Sequence, residues 1–141
     1  MTEAISEVRL TVLVVEDETL VRMFLADMLD EAGFKVFEAV SADEAVALLQ
    51  ARPDIQAVVT DVEMLGSMNS FELVRAIRER WPGVRAIVTS GRQAPGPGPD
   101  ALPEDVPYLT KPYLPATVLN LIRQMAAPQV VELPASDVQA T

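Results

Sequence analysis

The sequence predicts an α/β protein: a doubly wound, five-stranded parallel sheet in the order 2-1-3-4-5, with the helix expected between the fourth and fifth strands replaced or shortened by a Pro/Gly-rich loop. Three observations predict it. Five short β-rich runs, "RLTVLVV", "FKVFEA", "IQAVVT", "VRAIVT" and "VPYLT", alternate with stretches of helical periodicity across most of the chain. Runs one, three and four are nearly continuous in apolar residues, as parallel strands covered on both faces must be. The runs also end on polar residues, although strands buried this deeply have little other room for charge.

Each element has a local reason. The first helix is expected over about Leu20 to Ala32, with Leu20, Phe24, Met28 and Leu29 on its apolar face and Gly33 as its stop. The second opens on "SADEAVALL", where Ser41 at the cap and Glu44 three residues later form a capping box, and Pro53 follows its end. A third, near Phe71 to Glu79, carries Leu73, Val74 and Ile77 on one stripe before "WPG" breaks it. The last follows "KPYLP" and spaces Val118, Leu119, Ile122 and Met125 toward a core. Between the fourth and fifth strands the chain reads "GRQAPGPGPDALPEDVP", where Pro95, Pro97, Pro99 and Pro103 each deny a helix a hydrogen bond. A loop is expected there, with at most a short turn near Asp100 to Leu102.

One domain fits a chain of 141 residues. The expected division is an N-terminal extension over 1–8, the domain over 9–127, and a C-terminal tail over 128–141 that is disordered or docks as a strand. Apolar runs stop well short of the ~18 residues of a membrane span, and the acidic start is unlike a signal peptide, so a cytoplasmic protein without membrane contact is expected. The absence of Cys and His removes thiol nucleophiles, disulfides, zinc clusters and histidine bases. A net charge of −10 argues against nucleic acid, because phosphate neutralisation needs clustered Lys and Arg. Proteins and cations are the expected partners.

In open α/β sheets the site lies outside the carboxyl ends of the strands. Strand one ends in Glu16 and Asp17, strand three in Asp61, strand four in Thr89 and Ser90, and strand five in Thr110 and Lys111. With strands ~4.8 Å apart, Lys111 starts roughly 10 Å from Asp61, a gap its flexible stem can largely cover. Converging carboxylates repel, by about 4 kcal/mol per pair at 4 Å and an effective dielectric near 20. A divalent cation relieves this, and a partly open all-oxygen cluster suits Mg²⁺. A carboxylate held at Asp61 can attack an activated phosphoryl donor to give an aspartyl phosphate. Lys111 and the Ser90 hydroxyl are placed to stabilise the phosphoryl oxygens.

At these residues a family resemblance becomes specific. "VLVVEDE", "VVTDVEM", "IVTSG" and "YLTKPY", in this order and spacing, resemble the receiver domain of two-component response regulators over about residues 9 to 127. The resemblance implies a flavodoxin-like sheet with Asp61 as phospho-acceptor and Glu16 and Asp17 as the acidic pair that holds Mg²⁺. It implies that the Glu63 backbone carbonyl completes the metal shell, that Ser90 and Tyr108 are the switch hydroxyl and aromatic, and that Lys111 is the family's lysine, followed by a cis proline at Pro112. The implied donor is a phosphohistidine on a sensor histidine kinase or a histidine phosphotransfer protein, and the implied output is contact with an unknown downstream protein or a phosphate-sink role. Such a protein is a phospho-acceptor that assists its own phosphorylation and dephosphorylation, not an enzyme. A pseudo-receiver adaptor that binds partners without phosphorylation is the alternative.

The sequence departs from the family pattern after Asp61. Met64 is followed by Leu65 where the family usually has Pro, "GSMNS" carries one inserted residue, and Asn69-Ser70 replaces Asp-Gly. A different loop and altered kinetics are expected. Because many receivers dimerise through the face that includes the fourth helix, the Pro/Gly loop predicts a mostly monomeric protein. An aspartate-based phosphohydrolase is disfavoured, since its Asp-x-Asp-x-Thr pattern would fall on Asp61, Glu63 and Leu65.

Overall fold

The computed structural model describes residues 10–62, 70–91, 102–103 and 105–126. The strands are β1 (Thr11–Val15), β2 (Lys35–Ala39), β3 (Ala57–Asp61), β4 (Arg85–Ser90) and β5 (Tyr108–Thr110). The helices are α1 (Thr19–Glu31), α2 (Ala42–Ala51), α3 (Ser70–Arg80) and α4 (Pro115–Ala126). All strand pairs are parallel, as the alternating pattern predicts, and the sheet order is β2-β1-β3-β4-β5, the order expected of a flavodoxin-like sheet. The expectations for the 1–8 extension, the 128–141 tail and most of the Pro/Gly loop lie outside the described residues.

The apolar runs fill two faces of one sheet because successive strand side chains point to opposite sides. Val12, Val14, Val59 and Ile87 pack with Leu25 and Leu29 of α1 and with Val118 and Ile122 of α4. Their neighbours Leu13, Val15 and Val58 pack on the other face with Ala45 and Leu49 of α2 and with Leu73 and Ile77 of α3. A third cluster joins Val74, Ala86 and Val88, with Tyr108 and Val106 against it. Central strands β1 and β3 are buried end to end, which explains why their sequences lack alternation.

Local signals set the helix ends. The Ser41 hydroxyl accepts from the Glu44 amide at 3.1 Å, while the Glu44 carboxylate accepts from the Val40 amide at 2.7 Å, one residue before the cap itself. Gly33, at φ +100°, ends α1: its amide donates to the Asp30 carbonyl and the Phe34 amide donates to the Leu29 carbonyl. That pair of bonds is the Schellman pattern, in which glycine bears the left-handed residue without strain.

The buried face of α1 differs from the expected one. Leu20 is 81 % exposed and Phe24 63 % exposed, whereas Leu25, Ala26 and Leu29 are buried and Met28 is partly so. α1 carries apolar residues on two adjoining stripes, 20/24/28 and 21/25/28/29/32, one residue apart in phase. The sheet takes the second because it also brings Ala32 and the small Ala26 inward. The first is left facing solvent.

Candidate functional site

Backbone register brings the predicted polar residues to one edge. Val15 lies opposite Thr60 in the β1–β3 ladder, so the next residues, Glu16 and Asp61, face each other beyond it. Asp61 pairs with Thr89 and Ser90 with Thr110. The Val62 amide donates to the Thr89 carbonyl at 2.9 Å and the Lys111 amide to the Ser90 carbonyl at 2.6 Å. Both sides of the site are thus pinned to the end of β4.

Lys111 closes the gap between them. Its ammonium donates to Asp61 Oδ2 at 3.0 Å and lies 3.7 Å from Glu16 Oε1. Glu16 and Asp61 are buried and Asp17 is partly buried, and each offers a carboxylate oxygen within 4.8 Å of the others. Two buried carboxylates, Glu16 and Asp61, therefore share one ammonium. The cost shows on Glu16: burial, followed by the charge and hydrogen bond of Asp61, raises its pKa from 4.5 to about 7, although the Glu18 amide and Lys111 pull the other way. For Lys111 burial acts to lower the pKa, but the bond to Asp61 and the charges of Asp61 and Glu16 outweigh it and leave it raised.

This donor set fits Mg²⁺. Octahedral bonds of ~2.1 Å place ligand oxygens ~3 to 4.2 Å apart, a spacing that carboxylates already this close can adopt with small side-chain rotations. A divalent charge would also offset the burial and the Asp61 repulsion that together favour a proton on Glu16. The predicted fourth protein ligand, the Glu63 carbonyl, lies outside the described residues, as does the altered loop up to Asn69.

A pH prediction follows from Glu16. Between its unfolded value near 4.5 and its folded value of about 7, the ion-free folded state holds a proton that the unfolded chain releases, so ion-free stability falls as pH rises through that window. Mg²⁺ held by these carboxylates would compete with the same proton. Affinity for Mg²⁺ should rise up to about tenfold per pH unit below pH 7 and level off above it. Calorimetric titrations in two buffers of different ionisation enthalpy would detect the released proton near pH 6.5; a flat pH profile would count against this account.

Other predicted residues have definite places. Ser90 is fully buried as the last residue of β4, next to the strand end that carries Asp61. Tyr108 opens β5 and packs against the Val74, Ala86 and Val88 cluster on the α3 side, away from the carboxylates. The Lys111–Pro112 peptide bond is cis.

Sequence reasoning missed Arg22. From α1 its guanidinium donates to the Glu16 carbonyl at 3.0 Å and to Glu38 Oε1 at 3.1 Å, fastening the turn after β1 to the end of β2. No local pattern announces this, because Glu38 lies 16 residues away. Tyr113 was also missed, although it stands in the quoted "YLTKPY". Burial raises its phenol pKa, and the charges of Lys111, Glu16 and Asp61 all reach it.

A doubly wound parallel sheet that presents an acidic trio, able to hold a metal ion, and a lysine at its carboxyl edge defines a class of α/β proteins. Within that class, the sequence pattern of the response regulator receiver domain matches residues 12–123, and the chain belongs to this family. It is 35 % identical over 134 residues to the hydrogenase transcriptional regulatory protein HoxA of Cupriavidus necator, covering 88 % of this chain but 26 % of HoxA. It is 30 % identical over 115 residues to the response regulator receiver protein CpdR of Brucella abortus, covering 81 % of this chain and 94 % of CpdR. The chain thus spans about a quarter of one relative and nearly all of the other. Among solved structures, a response regulator receiver protein from Sinorhizobium medicae superposes with a TM-score of 0.76 at 26 % identity, covering 84 % of this chain and 94 % of that one. The chemotaxis response regulator CheY4 of Vibrio cholerae gives 0.72 at 25 % identity, with 84 % and 99 % covered.

Proposed function

We propose that this chain is a receiver that accepts a phosphoryl group on Asp61 from a phosphohistidine, with Mg²⁺ bound by Glu16, Asp17 and Asp61. The observation that carries the reading is the Lys111–Asp61 contact at 3.0 Å beside the acidic trio. In the transfer, an Asp61 carboxylate oxygen forms a bond to phosphorus as the P–N bond to the donor imidazole breaks, and the departing nitrogen keeps the electron pair and is protonated from solvent. Mg²⁺ supplies charge neutralisation at the phosphoryl oxygens. Lys111 leaves Asp61 Oδ2 to follow an incoming oxygen, and Ser90 donates its hydroxyl to another. With no histidine of its own, the chain receives and does not donate by that route. It acts as a phospho-acceptor rather than an enzyme.

The partner surface lies beside the chemistry. Leu20, Met23 and Phe24 of α1 and Leu114 before α4 are exposed, and they flank a groove of about 310 Å³ that Lys111, Pro112 and Tyr113 help to line. An apolar patch at the mouth of the site serves a donor protein, a sensor histidine kinase or histidine phosphotransfer protein, that must bring its imidazole to Asp61. One relative, CckA of Brucella abortus, is itself described as a sensor kinase. Signalling then runs through protein contacts or by draining phosphate from the donor. Among the described residues no helix is long and apolar enough to cross a membrane, and the net charge of −10 disfavours nucleic acid as a partner; we read a cytoplasmic, mainly monomeric protein.

The test is incubation with Mg²⁺ and acetyl phosphate, followed by mass spectrometry. One phosphoryl group on Asp61 supports the reading. An unmodified chain would make the protein a binding module only. Phe24→Ala should separate docking from chemistry: uptake from acetyl phosphate stays within about twofold, since the side chain is far from buried, while transfer from the cognate kinase falls by roughly tenfold or more. Equal losses from both donors would remove the patch from the docking account.

A further inference from the structure

At the opposite edge of the sheet from Asp61, a cavity of about 190 Å³ opens where α3 ends, β4 begins and α4 finishes. Its apolar floor is Ile77, Val84, Ala86 and Met125. Two guanidiniums border it. Arg78 is held by Asp105 at 2.8 and 2.9 Å, and Arg85, exposed at the rim, adds its charge to the same carboxylate, which leaves the pair one positive charge in excess. Asp105 shows what this cavity recognises, a carboxylate presented next to apolar surface. The charge setting is unusual for the chain: Arg75, Arg78, Arg80 and Arg85 are four of its eleven cations, within eleven residues of a protein of net charge −10.

The sequence that follows α4 matches this chemistry. Met125, in the last turn of α4, is itself part of the floor, so the chain leaves the helix at the cavity. Residues 127–141 read "APQVVELPASDVQAT", with no Lys or Arg, and between Pro128 and Pro134 stand Val130, Val131, Glu132 and Leu133. From Ala126 to Glu132 is six residues, a reach of up to ~20 Å. Attachment at this point gives the segment an effective concentration on the order of millimolar, so even a weak intrinsic affinity fills the cavity.

We propose that residues 129–133 of this chain occupy the cavity, with Glu132 paired to Arg85 and flanking valine or leucine side chains on the Ile77–Met125 floor. The seat is contiguous with the switch strand, because Ala86 and Val106 pack in the same cluster as Tyr108. This inference does not depend on phosphoryl transfer.

The full chain tests it. Trp81, the single tryptophan, precedes Pro82 on the cavity wall and gives one indole resonance beside the seat. Glu132→Arg is expected to shift that resonance and the amides of Val84, Arg85 and Val106, and adding Arg85→Glu to it is expected to restore most of each shift. Because the native chain has no cysteine, Val131→Cys can carry a nitroxide; the Val84 and Arg85 amides should lose at least half their intensity, and a label at Thr141→Cys should have a smaller effect. Unmoved resonances in Glu132→Arg together with unbroadened amides would overturn the proposal. Broadening that grows with protein concentration would overturn it as well, by giving the cavity to a second copy. An unrestored double variant would remove the Glu132–Arg85 pairing.

Discussion

Asp61→Asn is expected to abolish phosphoryl uptake, with the rate from acetyl phosphate falling by roughly a thousandfold or more. A neutral amide lacks both the nucleophilic oxygen and the charge that Lys111 is arranged against. The same change has a second readout that does not involve phosphate. Burial raises the Glu16 pKa most, and Asp61 adds to it by its charge and by a side-chain hydrogen bond, so the variant should lower Glu16 from about 7 while burial keeps it above ordinary carboxylate values. A carboxyl-carbon NMR titration would follow it. Retained phosphorylation at another residue would refute Asp61 as acceptor, and an unmoved Glu16 titration would refute the electrostatic account of the site.

Lys111→Met should split binding from chemistry. Methionine keeps much of the stem's volume but removes the ammonium that lies 3.0 Å from Asp61 and 3.7 Å from Glu16. Glu16 and Asp61 would then lose the ammonium they share, so Mg²⁺ should bind more tightly than to the native chain. Glu16 should titrate still higher when no ion is present, because Lys111 lowers its pKa. Phosphoryl uptake should nevertheless fall by about 10² to 10³, the usual cost of deleting one pre-placed donor to a developing oxyanion. Saturating Mg²⁺ would not rescue the rate. Weaker Mg²⁺ binding with an unchanged rate at saturation would instead make Lys111 a support for the metal site alone.

Much of the fold was legible because the governing signals are local. Val12 to Val15 and Val58 to Thr60 are buried on both faces, and their uninterrupted apolar character says so without any tertiary information. Ser41 with Glu44, and Gly33, act within a few residues of themselves, and the structure places both as expected apart from the one-residue displacement of the Glu44 bond. The strand-end residues were legible for a related reason. A carboxylate at the end of a buried strand conflicts with its surroundings unless something resolves the conflict, and Glu16, Asp61 and Lys111 resolve one another.

The sequence by itself determined the element order, the parallel sheet and the set of polar groups at its carboxyl edge, since periodicity and composition are properties of short stretches. Tertiary structure decided the rest. Which of two adjoining apolar stripes α1 buries depends on where the sheet lies, and so Leu20 and Phe24 became surface beside the site rather than core. The fastening of Glu16 by Arg22, and the closure of Lys111 on Asp61 across 50 residues, depend on register between strands and helices that no single segment encodes. The proton on Glu16 depends on all of these at once, because a pKa is set by every charge and every ångström of burial around the group.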